Sequence, residues 1–268
     1  MDNYAYICVL KNKEFYPGLC ALAYSLRKVG ARYPLRVVIP ETAKDELRDL
    51  IKGLDLETIV LPDLVLPEEL QKSNLYARWN QTFFKLQIFM LEQYEKIVFL
   101  DLDMIVVKNI DNLFERPHMS AVAAGHCVHE WWTEINSGLM VIEPHKKLYD
   151  RLIESIPAAC ENRHNSGNGF GDQDVIHYCF PDWWEHKELI LPEVYNSVTF
   201  DFEEISKKLG YQNLRVIHYA EARKPWNFPA WQMYRHIIYS IYLKNFNRAR
   251  MCHKYWWYVW RSCPNYLE

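Results

Sequence analysis

Along the first hundred residues, short apolar runs alternate with stretches whose apolar positions recur at helical spacing. Ala5–Leu10 reads as a strand, and the following PGLCALAYSLRKVG reads as a helix ended by Gly30. Leu35–Ile39 is a second predicted strand, stopped by Pro40. TAKDELRDLIKGL is a second predicted helix, with Thr42 placed as N-cap and Asp45 and Glu46 in the first turn. Thr58–Leu61 is a third strand, Asn80–Gln93 a further helix, and Ile97–Leu100 a fourth strand. Strands alternating with helices predict βαβ units and an α/β fold with a mostly parallel sheet flanked by helices. The second half is less regular. INSGLMVIEP reads as strand and turn, NSGNGFGDQDVIHYCF as a glycine-rich loop entering a helix, and LRVIHY as a strand. After Pro229 the segment WQMYRHIIYSIYLKNF and the KYWWYVWR beyond it are predicted to be helical in part. Without a repeat or a linker, 1–268 reads as one domain, with 230–268 a C-terminal aromatic helical extension.

One run breaks the pattern. IVFLDLDMIVV, residues 97–107, places Asp101 and Asp103 inside an apolar strand. Ionised carboxylates resist burial. In extended chain, positions i and i+2 share a face, so both acids can converge on one object while Leu102 points away. A divalent cation suits two such oxygens; two solvated acids at a strand-end turn remain the plain alternative. Open α/β sheets bind ligands at the carboxyl ends of their strands, which is where these acids fall. No GxGxxG and no GxxxxGK[ST] is present, so a dinucleotide or P-loop site has no local support.

Composition narrows the field. The 268 residues carry a net charge of −3 with mixed signs, which argues against a nucleic-acid partner held by phosphate contacts. Aromatics make up 15%, with ten Trp, a content that suits carbohydrate or base stacking but equally a core and a subunit interface. Seven scattered cysteines without a CxxC pair fit a reducing compartment better than a disulfide framework. The N-terminus shows no signal-peptide pattern, and no run approaches the ~18–20 apolar residues of a membrane helix. A cytoplasmic protein is expected.

Two enzyme chemistries place paired acids after a strand: dehalogenase-type phosphatases, and transferases that hold a nucleotide-sugar diphosphate through a metal. The former normally carry the motif near the start of their fold, whereas about a hundred residues of α/β pattern precede it here. Five ordered motifs then carry a resemblance: AYICVLKNKEFYPG, KLQIFMLEQYEKIVFLDLDMIVVKNIDNLF, INSGLMVIEP, GDQDVIHY and VIHYAEARKPWN. Over Tyr4 to about Phe228 the chain resembles the glycogenin-like members of glycosyltransferase family 8. Cytosolic protist α-galactosyltransferases that extend a glycan are among the relatives of this type.

The resemblance implies a single-domain, Rossmann-like glycosyltransferase A fold and a retaining, metal-dependent transfer from a UDP-hexose. It assigns Asp101, Asp103 and His218 as ligands of Mn²⁺, or Mg²⁺. Val9, Lys11, Asn12 and Phe15 correspond to the nucleobase site, Leu102 to the ribose contact, and Lys224 to the diphosphate. Arg78, Lys85, Asn136 and Ser137 correspond to residues on the sugar, and Asp172 and Gln173 to the pair beside the anomeric carbon. Trp226 is expected to pack beneath the Lys224 loop.

Departures from the family refine the expectation. The tyrosine that glycogenin glucosylates on itself falls at Phe200, and a second family tyrosine at Phe202. Phenylalanine has no hydroxyl, so an external glycan or glycoprotein acceptor is expected. Phe15 stands for a usual Tyr, Glu221 for a glycine near the phosphates, and Gly169 for an Asp on the sugar, which suggests galactose in place of glucose. The competing readings are a self-glucosylating glycogenin, a phosphatase using Asp101 and Asp103, and an inactive sugar-binding module. A homodimer is expected, the aromatic C-terminus reads as a dimer interface or as packing against the sheet, and membrane contact is not expected.

Overall fold

A computed structural model describes residues 3–64, 77–164 and 170–263. Gly169 lies outside them, and so does the side chain of Arg78. Strands β1 (Tyr4–Val9), β2 (Leu35–Pro40), β3 (Glu57–Leu61) and β4 (Lys96–Leu100) run parallel. They share a six-stranded sheet of order β3-β2-β1-β4-β7-β6, in which β7 (Asn136–Ile142) pairs antiparallel with β4 and β6 (Ala121–Val122) pairs antiparallel with β7. A second sheet of order β5-β9-β8 holds β5 (Met104–Val106), β8 (Ser197–Val198) and β9 (Val216–His218).

Both faces of the large sheet are covered, which is why its strands read as near-continuous apolar runs. Tyr6, Cys8, Val98 and Leu100 point into one core with α1 (Tyr16–Lys28) and α2 (Lys44–Ile51). Their neighbours Ala5, Ile7, Ile97 and Phe99 point into the other, against α3 (Lys146–His164) and α4 (Asp172–Cys179). A third core gathers Ile105, Phe202, Ile217 and Trp226 with α7 (Phe246–Ser262). Helices α5 (Phe202–Leu209) and α6 (Ala230–Tyr242) complete the C-terminal third.

Three expectations are corrected. The helix placed at Asn80–Gln93 is a run of 3-10 turns over Ala77–Met90. Phe83, Phe84, Leu86, Ile88 and Phe89 are all buried there, and a fully buried side chain of this size gains roughly 1.5–3 kcal/mol. That burial outweighs the poorer hydrogen bonding of a long 3-10 stretch. Thr42 does not cap α2, whose N-cap is Ala43. Its N–H and Oγ1 donate instead to Asp63, at 3.0 and 2.8 Å. The cysteines are not all unpaired: Cys20 of α1 joins Cys263, just beyond α7, across 243 residues of sequence, and no disulfide joins the other five.

Candidate active site

The apolar run that carries the two acids is two strands. β4 ends at Leu100, the DLD turn leaves the large sheet, and β5 begins in the second one. The acids therefore sit where one sheet hands the chain to the other. Register does the rest. Leu100 pairs with Leu139, so the Asp101 N–H donates to the Gly138 carbonyl at 2.8 Å. Met104 pairs with His218, so the Tyr219 N–H donates to the Asp103 carbonyl at 2.8 Å. One ligand atom each from Asp101, Asp103 and His218 lies within 4.8 Å of the others.

The imidazole is oriented by a chain of amides. The Gly138 N–H donates to Asn136 Oδ1 at 3.1 Å, which fixes that atom as oxygen. Asn196 Nδ2 donates to the same oxygen at 2.8 Å. The Asn196 Oδ1 is thereby turned to His218 Nδ1, 2.9 Å away, which must carry the proton. Nε2 is thereby left facing Asp103, 3.3 Å from Oδ1. Metal-binding histidines are positioned by such partners. Gly138 also clears the space: a Cβ there would sit 2.7 Å from His218 Cε1. Two carboxylates and one imidazole fit Mn²⁺, and fit Mg²⁺ less well because of the nitrogen.

Two lysines balance the acids. Lys224 Nζ lies 2.6 Å from Asp103 Oδ2 and donates to the Tyr219 carbonyl at 3.0 Å. Lys85, almost fully buried, lies 3.2 Å from Asp101 and 2.9 Å from Asp172. Burial pushes the Asp101 carboxyl up, to about 6, against the attraction of Lys85. At Asp103 burial acts in the same direction, but His218 and Lys224 outweigh it and hold the carboxyl well below its usual range. Burial would lower the Lys85 ammonium, yet Asp101 and Asp172 hold it above its ordinary value.

Ser137 and Gln173 tie the sugar-side residues to this centre. Ser137 Oγ donates to Asp172 Oδ2 at 2.8 Å and lies 3.2 Å from Lys85 Nζ. Its N–H donates to Gln173 Oε1 at 3.2 Å. Asp172 opens α4, with its N–H donating to Thr82 Oγ1 at 3.1 Å. Asp101, Asp103, His218, Lys224, Lys85, Asn136, Ser137, Asp172 and Gln173 thus form one connected polar cluster.

The nucleobase candidates lie between the end of β1 and the start of α1. Asn12 Oδ1 accepts the Glu14 N–H at 3.0 Å, and Lys11 Nζ lies 5.9 Å from the Phe84 ring centre. Phe15 meets the edge of Trp226, with ring centres 5.5 Å apart. Val9 is half-buried at the end of β1. Leu102 is buried with its carbonyl against α1, 2.4 Å from where a Gly18 Cβ would be. Trp226 packs under the Lys224 loop against Gly18 and Tyr255. The Glu221 side chain is turned aside by a hydrogen bond from Thr199 Oγ1. Phe200 is exposed and Phe202 is core.

Asn196 and Thr82 carry no signal in the sequence that marks them for the site. Both are polar residues in unremarkable local pattern, and only the fold brings them to His218 and Asp172.

A mostly parallel sheet, an acid pair at its carboxyl edge and a histidine delivered by a second small sheet define a glycosyltransferase of the A fold class. The chain belongs to Glycosyl transferase family 8, which matches residues 6–230. It is 30% identical to a putative UDP-glucuronate:xylan alpha-glucuronosyltransferase 3 of Arabidopsis thaliana, over 98% of this chain and 41% of that protein. It is 28% identical to glycogenin-1 of Caenorhabditis elegans, over 83% of this chain and 51% of that one. The chain therefore spans about half or less of the length of these two relatives. The solved structure of the galactosyltransferase LgtC with donor and acceptor sugar analogs superposes with a TM-score of 0.62 at 14% identity, covering 98% and 96% of the two chains, a likeness of fold.

Proposed function

We propose that this chain acts as one catalytic domain, a metal-dependent retaining hexosyltransferase. It moves galactose or glucose from a UDP-sugar to an external glycan or glycoprotein acceptor. The observation that carries this reading is the convergence of Asp101, Asp103 and His218, flanked by Lys85 and Lys224. A bound Mn²⁺ would supply Lewis-acid neutralisation of charge on the donor diphosphate.

Lys224 can turn from Asp103 to the leaving UDP, adding a cationic contact as negative charge develops. Lys85 holds Asp172 and Asp101 in fixed relation, so the sugar-side carboxylate and the metal-side carboxylate move as a unit. Ser137 and Gln173 position the hexose beside Asp172. One Asp172 oxygen is already engaged by both Lys85 and Ser137, at 2.9 and 2.8 Å. A carboxylate so tied suits electrostatic support of an oxocarbenium-like centre better than nucleophilic attack, which favours front-face displacement. Phe200 offers no hydroxyl, which supports transfer to an acceptor other than the chain itself.

The test is UDP release from UDP-galactose and UDP-glucose, with Mn²⁺, with Mg²⁺ and with chelator, followed by a glycan-acceptor screen. Metal-dependent release from one of the two donors is expected, and the intact mass of the protein should not rise by a hexose. Metal-independent release, or no release from either sugar, would overturn the reading.

A further inference from the structure

The C-terminal helices carry a surface outside the polar cluster of the candidate active site. On α6, the turn after it and the first residue of α7, Trp231, Tyr234, Ile238, Tyr242, Leu243 and Phe246 are all exposed, Trp231 at 60% and Tyr242 at 79%. Positions 231, 234, 238 and 242 follow one another at three- and four-residue spacing, so they form a single stripe along the helix. Contiguous apolar surface of this kind marks an interaction face.

Charge identifies the partner. From Arg223 to Leu267 the sequence holds eight Lys or Arg and no Asp or Glu, although the whole chain is net negative. The nearby carboxylates are engaged: Glu203 pairs with Lys207 at 2.6 Å and accepts from Asn245, and Glu221 accepts from Thr199. Beside the stripe lies a cavity of ≈ 290 Å³ whose lining includes Arg235, His236, Ser240 and Arg248. Burial and the charges of Arg248, Arg235 and Arg223 hold His236 below its ordinary pKa, which fits a concentrated positive field there. An apolar, Trp- and Tyr-bearing stripe next to a cationic cavity matches an interface that seats rings at headgroup depth and phosphate beside them. A second copy of the chain fits less well. A two-fold contact through this face would set like charges against like.

We propose that this face docks on an anionic lipid bilayer, the stripe entering the headgroup layer and the Arg235–Arg248 cavity taking a lipid phosphate. This reverses the expectation from sequence that membrane contact is absent. Arg223, next to Lys224, donates to Gln232 Oε1 of α6 at 3.3 Å, so the docking face adjoins the loop that reaches Asp103. The inference stands whether or not the chain transfers a hexose.

The experiment is co-sedimentation of the full chain with vesicles of phosphatidylcholine alone and of phosphatidylcholine with phosphatidylglycerol, at low and high salt. Binding to the anionic vesicles only, weakened by salt, is expected. Arg235→Ala with Arg248→Ala should lower the partition constant roughly thirtyfold, about fivefold per charge. Trp231→Ser with Tyr242→Ser should also lose binding while keeping the unfolding temperature of the parent, because both side chains are exposed. Absence of binding to anionic vesicles at low salt would overturn the proposal. So would equal binding to neutral vesicles, or a stable dimer in sedimentation velocity that these substitutions dissociate.

Discussion

Asn196 holds His218: its carboxamide oxygen lies 2.9 Å from the ring Nδ1, and both side chains are buried. The bond ends a relay that starts at the Gly138 N–H and passes through Asn136, so a backbone donor in β7 decides which imidazole nitrogen faces the acids. Asn196→Ala removes the acceptor and lets the ring turn or change tautomer. Divalent-metal affinity should fall about ten- to a hundredfold, read by titration calorimetry with Mn²⁺. Unchanged affinity would remove Asn196 from the site.

Lys85 is the only described cation bridging Asp101 and Asp172, and it does so almost without solvent. Lys85→Met keeps the stem and deletes the charge, leaving two acids without their partner. Breaking a buried pair in this way costs about 3–5 kcal/mol. Chemical denaturation should show that loss, and transfer should fall further than stability accounts for. A variant as stable as the parent would contradict the buried ion-pair account.

Gly138 and Gly53 offer a matched comparison. A methyl at Gly138 would lie 2.7 Å from His218 Cε1 and from Met104 Cε, whereas one at Gly53 would meet nothing within 4 Å. Gly138→Ala should weaken metal binding by displacing the imidazole. Gly53→Ala should leave it intact and be neutral or slightly stabilising, by about 0.4–1 kcal/mol. Equal metal affinities in the two variants would sink the steric argument.

Cys20 and Cys263 clip the last helix to the first. Alkylation of the denatured, unreduced protein should therefore modify five thiols of seven. Cys263→Ser should cost about 2–4 kcal/mol, since the bond closes a very long loop. Seven modified thiols would show that the pair is not formed.

Much of this was legible along the chain. Near-continuous apolar runs in β1 and β4 and helical spacing in α1 specify a sheet covered on both faces, because successive apolar residues of a strand point to opposite sides and both must be buried. The DLD spacing specified two convergent acids, and five ordered motifs specified the family. Thr42 and the 80–93 segment depart from what local pattern predicts because their outcome depends on partners that local pattern does not contain: Asp63 for one, a packed sheet face for the other.

What only the tertiary structure decided is how the acids are satisfied. The sequence shows Asp101 and Asp103 in one strand-like run; the fold divides that run between two sheets. Antiparallel register then delivers His218, and Lys85 and Lys224 arrive from distant segments. A buried charge is tolerable only beside its counterpart, and such pairings are long-range. Local sequence can mark a charge that needs a partner, but only the assembled chain supplies one.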